Sequence, residues 1–285
     1  MDDPRNQDPR HFATGAATVL AAIRRESPLV QNITNTVATN FTANTLLAVG
    51  AAPAMVDIAE ESGIFAEAAS ALLVNLGTLS NQQRNAARVA VTAAGQAGTP
   101  WVLDPVAIGA LPFRTEFAAE LLQSGLSAVR GNASEIMALA GTGPGGRGVD
   151  STAQSDSAAD AATDLARAHH TIVAVSGEQD LITDGQSAVY VSGGHPMLTR
   201  ITASGCALGS LVAAALGTEA TGSFEAVVAA HLIYGVAAER AAEHATGPGT
   251  FVPALLDALA TVTPEQVMTP DRLRIVRAAT ADGQA

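Results

Sequence analysis

The segment Ile201-Thr202-Ala203-Ser204-Gly205-Cys206-Ala207-Leu208-Gly209-Ser210 carries the single cysteine of the chain and runs straight into an Ala- and Leu-rich helical pattern. Small residues at a helix start let a phosphate approach the unpaired N–H groups of the first turn, where the helix dipole favours negative charge. Gly205 and Cys206 therefore fall where phosphate chemistry would occur. Asp104, Arg130 and Ser176 each end a short apolar run, and Glu135 follows in Arg130-Gly131-Asn132-Ala133-Ser134-Glu135. Pro105 holds the chain extended after Asp104 and presents its carboxylate at a strand tip. Together these groups suit a magnesium nucleotide. Asp104 and Glu135 offer oxygen ligands or bonds to metal-bound water; Arg130, Ser176 and the Cys206 helix offer phosphate contacts. Each residue also has a purely structural use: Glu135 stands at capping-box spacing from Asn132, and Cys206 can serve as a small buried hydrophobe. Their common placement at strand-to-helix junctions is what argues for a site.

The elements that must hold these residues read as alternating strands and helices. Apolar runs predict strands over 29–33, 54–56, 71–76, 101–104, 128–130 and 171–176. Helical patterns fall between them at 37–49, 81–94, 116–123 and 134–139. This rhythm predicts an α/β fold with a mostly parallel sheet covered by helices, in which ligands bind outside the carboxyl ends of the strands. Residues 181–184, 187–191 and 197–199 read as a short antiparallel meander turning at Asp184-Gly185, and helices follow at 223–244 and 252–259. The Gly-rich segment from Gly141 to Gly148 reads as a loop within one domain spanning 1–285, with flexible tails at 1–10 and 279–285.

Composition narrows the chemistry. All fifteen basic residues are arginine, which excludes mechanisms that need a lysine: P-loop and protein-kinase phosphoryl transfer and Schiff-base chemistry. A formal net charge of -12 without a basic cluster argues against nucleic acid as a partner. Apolar stretches are broken too often to span a bilayer, so no membrane partner is expected. One cysteine can form neither an intrachain disulfide nor a thiolate cage, and the cytoplasm is the expected compartment.

Nearer the amino terminus, residues 28–44 interleave amides and hydroxyls with apolar residues. Buried amides need partners, and Asn35 or Thr34 can cap the coming helix; the same groups can also wall a pocket for a small neutral heterocycle. Met55 brings a soft thioether to the same edge or fills the core.

Five stretches, in order, resemble the hydroxyethylthiazole kinases, thiamine-salvage members of the ribokinase-like superfamily. They are the Asn/Thr-rich segment ending Gly50-Ala51-Ala52-Pro53-Ala54-Met55, then Leu103-Asp104-Pro105-Val106, Val129 through Glu135, Gly146-Arg147-Gly148-Val149-Asp150-Ser151, and the Cys206 loop. The resemblance implies ATP- and Mg²⁺-dependent phosphorylation of the alcohol of 4-methyl-5-(2-hydroxyethyl)thiazole. It implies that Met55 and Ala203 contact the thiazole, that Arg130 and Ser176 contact ATP, and that Asp104 and Glu135 serve metal and phosphates. Cys206 and Gly205 then lie at the reacting centre. It further implies a homotrimer with the pocket between subunits, so that Asn35 and Met55 complete a neighbour's site. Two positions depart from the family pattern. Thr-Gly-Thr-Gly-Cys is usual where this chain reads Thr202-Ala203-Ser204-Gly205-Cys206, and Ala203 adds a methyl that disfavours positive φ. Ser176 stands where Thr is frequent and keeps the hydroxyl. Other readings are a hydroxymethylpyrimidine kinase, a hydrated-nicotinamide repair enzyme, or a non-catalytic nucleotide sensor.

Overall fold

The computed structural model describes residues 8–143 and 152–277. Helices α1 (Pro9–Glu26), α2 (Thr39–Val49), α3 (Ala59–Ala68), α4 (Asn81–Ala97), α5 (Pro112–Leu121) and α6 (Ala133–Leu139) alternate with strands β1 (Leu29–Ile33), β2 (Ala52–Ala54), β3 (Ala71–Asn75), β4 (Trp101–Asp104) and β5 (Ala128–Asn132). Helix α7 (Thr152–His169) leads into β6 (Ile172–Ser176), β7 (Gln179–Thr183) and β8 (Ser187–Ser192). The chain then forms α8 (Ser204–Leu216), α9 (Ser223–His244), α10 (Pro248–Thr261), α11 (Pro264–Val267) and β9 (Leu273–Arg277). Among the described residues the strands make one nine-stranded sheet in the order β2-β1-β3-β4-β5-β6-β7-β8-β9. Pairing is parallel from β2 through β6 and antiparallel from β6 through β9. From β1 the chain goes outward to β2 on one side and then to β3 on the other. That reversal opens a crevice at the carboxyl ends of β1 and β3, the usual ligand position in open α/β sheets.

Successive strand side chains point to opposite faces, so each strand divides its residues between two cores. Leu73, Val102, Ala128 and Ala174 pack with α1, α2, α8, α9 and α10. Leu72, Leu103, Val129 and Val173 pack with α4, α5, α6 and α7 on the other face. Two residues beyond the first set, on the same face, come Asn75, Asp104, Arg130 and Ser176. Four adjacent strands thus deliver polar residues to one face at one edge, the face that α8 covers. Every residue of α8 from Ala207 to Leu216 is buried, which its Ala, Gly and Leu content permits: a helix apolar all round belongs inside.

The antiparallel meander takes a different third strand from the expected one. Residues 197–199 form part of a 3₁₀ turn, Pro196–Arg200, and β9 pairs with β8 instead. Pro196 has no N–H to give a sheet, and His195 Nδ1 accepts the Met197 N–H at 3.2 Å, closing a turn. The strand expected over 54–56 lies two residues earlier, which leaves Met55 just past its end. Residues 8–10, expected in a flexible tail, open α1: Asp8 accepts the Arg10 N–H at 2.9 Å and Pro9 takes the first helical position. The rest of that tail, residues 279–285 and the core of the 141–148 loop lie outside the described residues.

Candidate active site

Helix α8 starts without a side-chain cap. Ala203 occupies its N-cap position with φ 68° and ψ 3°, in the left-handed region, and the first turn contains no acidic residue. Against this open turn lies Arg130. A β-carbon added at Gly205 would stand 2.6 Å from Arg130 Nη1, so the guanidinium fits only because residue 205 has no side chain. Arg130 Nη2 donates to Ser176 Oγ at 2.6 Å, and Arg130 Nε is buried with no partner. Free helical N–H groups, a guanidinium and a hydroxyl thereby meet at one corner suited to a phosphate chain. Tyr234, buried on α9, donates its hydroxyl to Ser204 O at 3.0 Å and fixes the α8 start. Burial pushes that phenol well above its ordinary range.

Toward the β1–β3 crevice the groups are neutral amides around one carboxyl. Asn35 Nδ2 donates to Cys206 Sγ at 3.2 Å and to Asn75 Oδ1 at 2.9 Å. Asn75 Nδ2 donates in turn to Asp104 Oδ2 at 2.7 Å, and its Oδ1 also accepts the Gly77 N–H at 3.0 Å. Asn35 is therefore built into the site of its own chain. Asp104 is buried, and burial raises its carboxyl from 3.8 to about 7; Glu135 nearby adds to the rise while Arg130 and the Asn75 hydrogen bond oppose it. Burial and then the Asp104 charge raise the Cys206 thiol to about 11, against the pull of Asn35 and Arg130. The thiol is protonated at neutral pH, although it sits at a helix start.

Glu135 is the reciprocal cap of α6. Asn132 Oδ1 accepts the Glu135 N–H at 3.0 Å, Glu135 Oε2 accepts the Asn132 N–H at 2.9 Å, and Oε1 accepts the Ala107 N–H at 2.9 Å. Its carboxylate thus ties the loop after β4 to the start of α6, beside Asp104. These two acids fit a hard divalent cation. Asp104 Oδ1 is buried without a protein partner, and each Glu135 oxygen keeps a lone pair for a metal-bound water. Among the described residues no cluster of three or more His, Cys, Asp or Glu forms a protein cage.

Cys206, Gly205, Asn35, Asp104, Arg130 and Ser176 are brought together, with Glu135 joined through the Asp104 loop. Met55 is partly buried at the end of edge strand β2, two strands away from Asn75, and stands apart from this network. Three contributors escaped the sequence reading. Asn75 closes an apolar strand as Asp104 does, and the same strand-end argument identifies it. Asp180 and His231 are distant in sequence and meet only in the fold: His231 Nδ1 lies 2.7 Å from Asp180 Oδ2, and Asp180 Oδ1 accepts the Gly177 N–H at 3.0 Å. Nothing in either local sequence announces that contact.

The chain is 56% identical over 248 residues to the hydroxyethylthiazole kinase of Tolumonas auensis, covering 87% of this chain and 93% of that one. It is 55% identical over 258 residues to that of Clavibacter sepedonicus, covering 90% and 94%. The solved hydroxyethylthiazole kinase protein from Pyrococcus horikoshii OT3 superposes with a TM-score of 0.83 at 34% identity, covering 93% of this chain and 99% of that chain. A pyridoxal kinase from Staphylococcus aureus shares the ribokinase-like fold alone, at a TM-score of 0.52 and 18% identity over 74% of this chain and 88% of that one. No helix among the described residues is long and apolar enough to cross a membrane. The model of the hydroxyethylthiazole kinase family matches residues 20–265, and with these relatives it establishes that the chain belongs to that family.

Proposed function

We propose that this kinase transfers the γ-phosphoryl group of ATP to the primary alcohol of 4-methyl-5-(2-hydroxyethyl)thiazole, in cytoplasmic thiamine salvage. The observation that carries the reading is the uncapped α8 start with the Arg130 guanidinium laid against Gly205. The alcohol oxygen attacks the γ-phosphorus in line; the new O–P bond forms as the bond to the β-phosphate oxygen breaks, and ADP leaves with that electron pair. Arg130 and the amides of Gly205 and Cys206 stabilise the charge that spreads over the transferring oxygens. Ser176 holds Arg130 in place and offers its hydroxyl to the nucleotide. When bound, Mg²⁺ neutralises phosphate charge, with Asp104 and Glu135 as the residues that hold it or its waters. In a loose transition state the attacking hydroxyl gives up its proton late, to an oxygen of the phosphoryl group it receives and from there to water, so a protonated Cys206 thiol serves by orienting that hydroxyl through its sulfur rather than by removing the proton.

Met55 and Ala203 are assigned to the thiazole ring. The assembly proposed is a homotrimer in which Met55 completes a neighbour's pocket. Supporting this, Met55 directly follows the edge strand while Val37 and Leu47, before and within the adjoining α2, are each 60% exposed. The test is ATP consumption and phosphate-ester formation with the thiazole alcohol, with a hydroxymethylpyrimidine and with no acceptor. The expected result is ester formation with the thiazole alone. Turnover of the pyrimidine in its place, or ATP binding with no ester, overturns the proposal.

A further inference from the structure

Beneath the phosphate corner lies a histidine–carboxylate contact with no role in the chemistry just described. His231 belongs to α9, and its side chain has no exposed surface. Its Nδ1 sits 2.7 Å from Asp180 Oδ2 on β7. The other Asp180 oxygen accepts the N–H of Gly177 at 3.0 Å, in the two-residue turn joining β6 to β7. Ser176, the residue before that turn, accepts the hydrogen bond from Arg130. A continuous line of polar contacts therefore runs from α9 through Asp180 to the turn that carries Ser176 and steadies Arg130. Tyr234, one helical turn further along α9, holds Ser204 at the opposite wall of the same corner, so one helix face grips both walls.

The two ends of this line differ in what they need. The Asp180 carboxylate is partly buried, with about a fifth of its side chain exposed, and a carboxylate so placed is held as an anion by pairing and hydrogen bonds. Burial works to raise the Asp180 carboxyl, but the His231 charge and hydrogen bond, the Gly177 N–H and the Arg130 charge together bring it below its ordinary value. Asp180 is thus an anion facing Arg130 from the side away from Asp104. A turn made of Gly177 and Glu178 has little of its own to fix it, and the Gly177 N–H bond to Asp180 supplies that restraint.

We propose that Asp180 and His231 are a positioning pair for the nucleotide phosphates, acting through the 176–178 turn and the orientation of Arg130. The inference rests on the assignment of Arg130 and Ser176 to ATP. It predicts a split between substrates: ATP depends on the pair, and the thiazole alcohol, bound at the Asn35 side of Cys206, does not.

The experiment measures KM for ATP and for 4-methyl-5-(2-hydroxyethyl)thiazole, with kcat, in the full chain and in the variants His231→Leu, His231→Asn, Asp180→Asn and Arg130→Ala. In His231→Leu the ATP KM is expected to rise about tenfold while the thiazole KM stays within about twofold. His231→Asn, whose amide nitrogen can replace Nδ1 toward Asp180, is expected to recover most of the ATP affinity. Asp180→Asn keeps acceptor and shape but loses the charge, and reports on the pair if the leucine variant fails to fold; its ATP KM is expected to rise with the thiazole KM unchanged. Equal shifts in both KM values, or unchanged constants in folded His231 and Asp180 variants beside a raised ATP KM in Arg130→Ala, overturn the positioning role alone. An unchanged ATP KM in Arg130→Ala overturns the phosphate assignment and this inference with it.

Discussion

Helices α6 and α8 both start at the carboxyl edge of the sheet, one after β5 and one lying over β3 and β4, yet their first turns are finished in opposite ways. At α6, Asn132 and Glu135 satisfy each other's backbone N–H groups and Glu135 adds a bond to Ala107. At α8, Ala203 offers no side-chain acceptor, and Arg130 faces the turn across Gly205. A helix start filled by its own carboxylate has little left for an external anion, whereas one left open beside a guanidinium has both partial positive charge and space. Location at the ligand edge does not by itself separate structural from chemical residues. The state of the backbone amides does.

The sharpest test of the contrast compares the carboxylates at the two ends. Asp104→Asn is expected to lower kcat/KM about a thousandfold, and Glu135→Gln, which keeps an acceptor for the α6 cap but loses the charge assigned to the metal, about tenfold with some loss of stability. Asp104 also gives a pH signature in metal-free protein. Its folded-state value of about 7 lies above the ordinary 3.8, so between those values the folded chain holds a proton that the unfolded chain has lost. Its contribution is fully favourable below about pH 4 and is lost as pH rises through about 7. The loss is up to roughly 4 kcal/mol, at about 1.4 kcal/mol per tenfold. Denaturation of the metal-free enzyme at pH 5 and pH 8 should show this decline, and Asp104→Asn should flatten it. An unchanged slope in the variant would remove the claim that this carboxyl is buried at a cost.

Adding one methyl at each helix start breaks the comparison from another side. Gly205→Ala puts a β-carbon 2.6 Å from Arg130 Nη1 and is expected to lower kcat/KM about a hundredfold with a small change in melting temperature. Gly131→Ala brings one 3.2 Å from Glu135 Oε2, at the capped end, and is expected to cost about 1 kcal/mol while kcat stays within about threefold. If both act on kcat alike, the two ends are not functionally distinct.

Removing the α6 cap has a smaller effect. Asn132→Ala is expected to lose about 1 kcal/mol in urea denaturation, with the ATP KM unchanged. A fall in kcat out of proportion to that loss would make the α6 start part of the reaction.

Much of this arrangement was legible in the chain. Strands at 29–33 and 101–104 have the boundaries expected, because Pro28 and Pro100 stand just before them and Thr34 and Pro105 just after, which leaves little freedom. The Asn132–Glu135 capping box was written in its spacing. The gathering of Asp104, Arg130 and Ser176 followed from their being strand-end residues on one face. Contacts that depend on which distant elements pack together were not legible. Asn35 reaches Cys206 across 171 positions, and His231 reaches Asp180 across 51, each fixed by the stacking of helices on the sheet rather than by a local pattern. Burial, a tertiary property, raises the Cys206 thiol despite its place at a helix start. The helix α1 carried readable signals in Asp8 and Pro9, whereas β9 depends on an edge provided by β8.

The smallest predicted effect lies at the residue that sets the open end. Ala203 holds φ 68°, a conformation that costs a residue with a β-carbon about 1 kcal/mol and costs glycine little. Ala203→Gly should recover part of this, offset by the greater freedom of glycine in the unfolded chain, for a net gain of about 0.5 kcal/mol or less. The chain keeps alanine at this position despite the strain, and the methyl stands where the backbone meets the proposed thiazole pocket. If it shapes that pocket, Ala203→Gly changes the thiazole KM and the tolerance for larger ring substituents while the ATP KM stays constant. If those constants and the ring preference are unchanged and only the stability moves, Ala203 affects the backbone alone, and α8 stays open at its start whichever of the two residues precedes it.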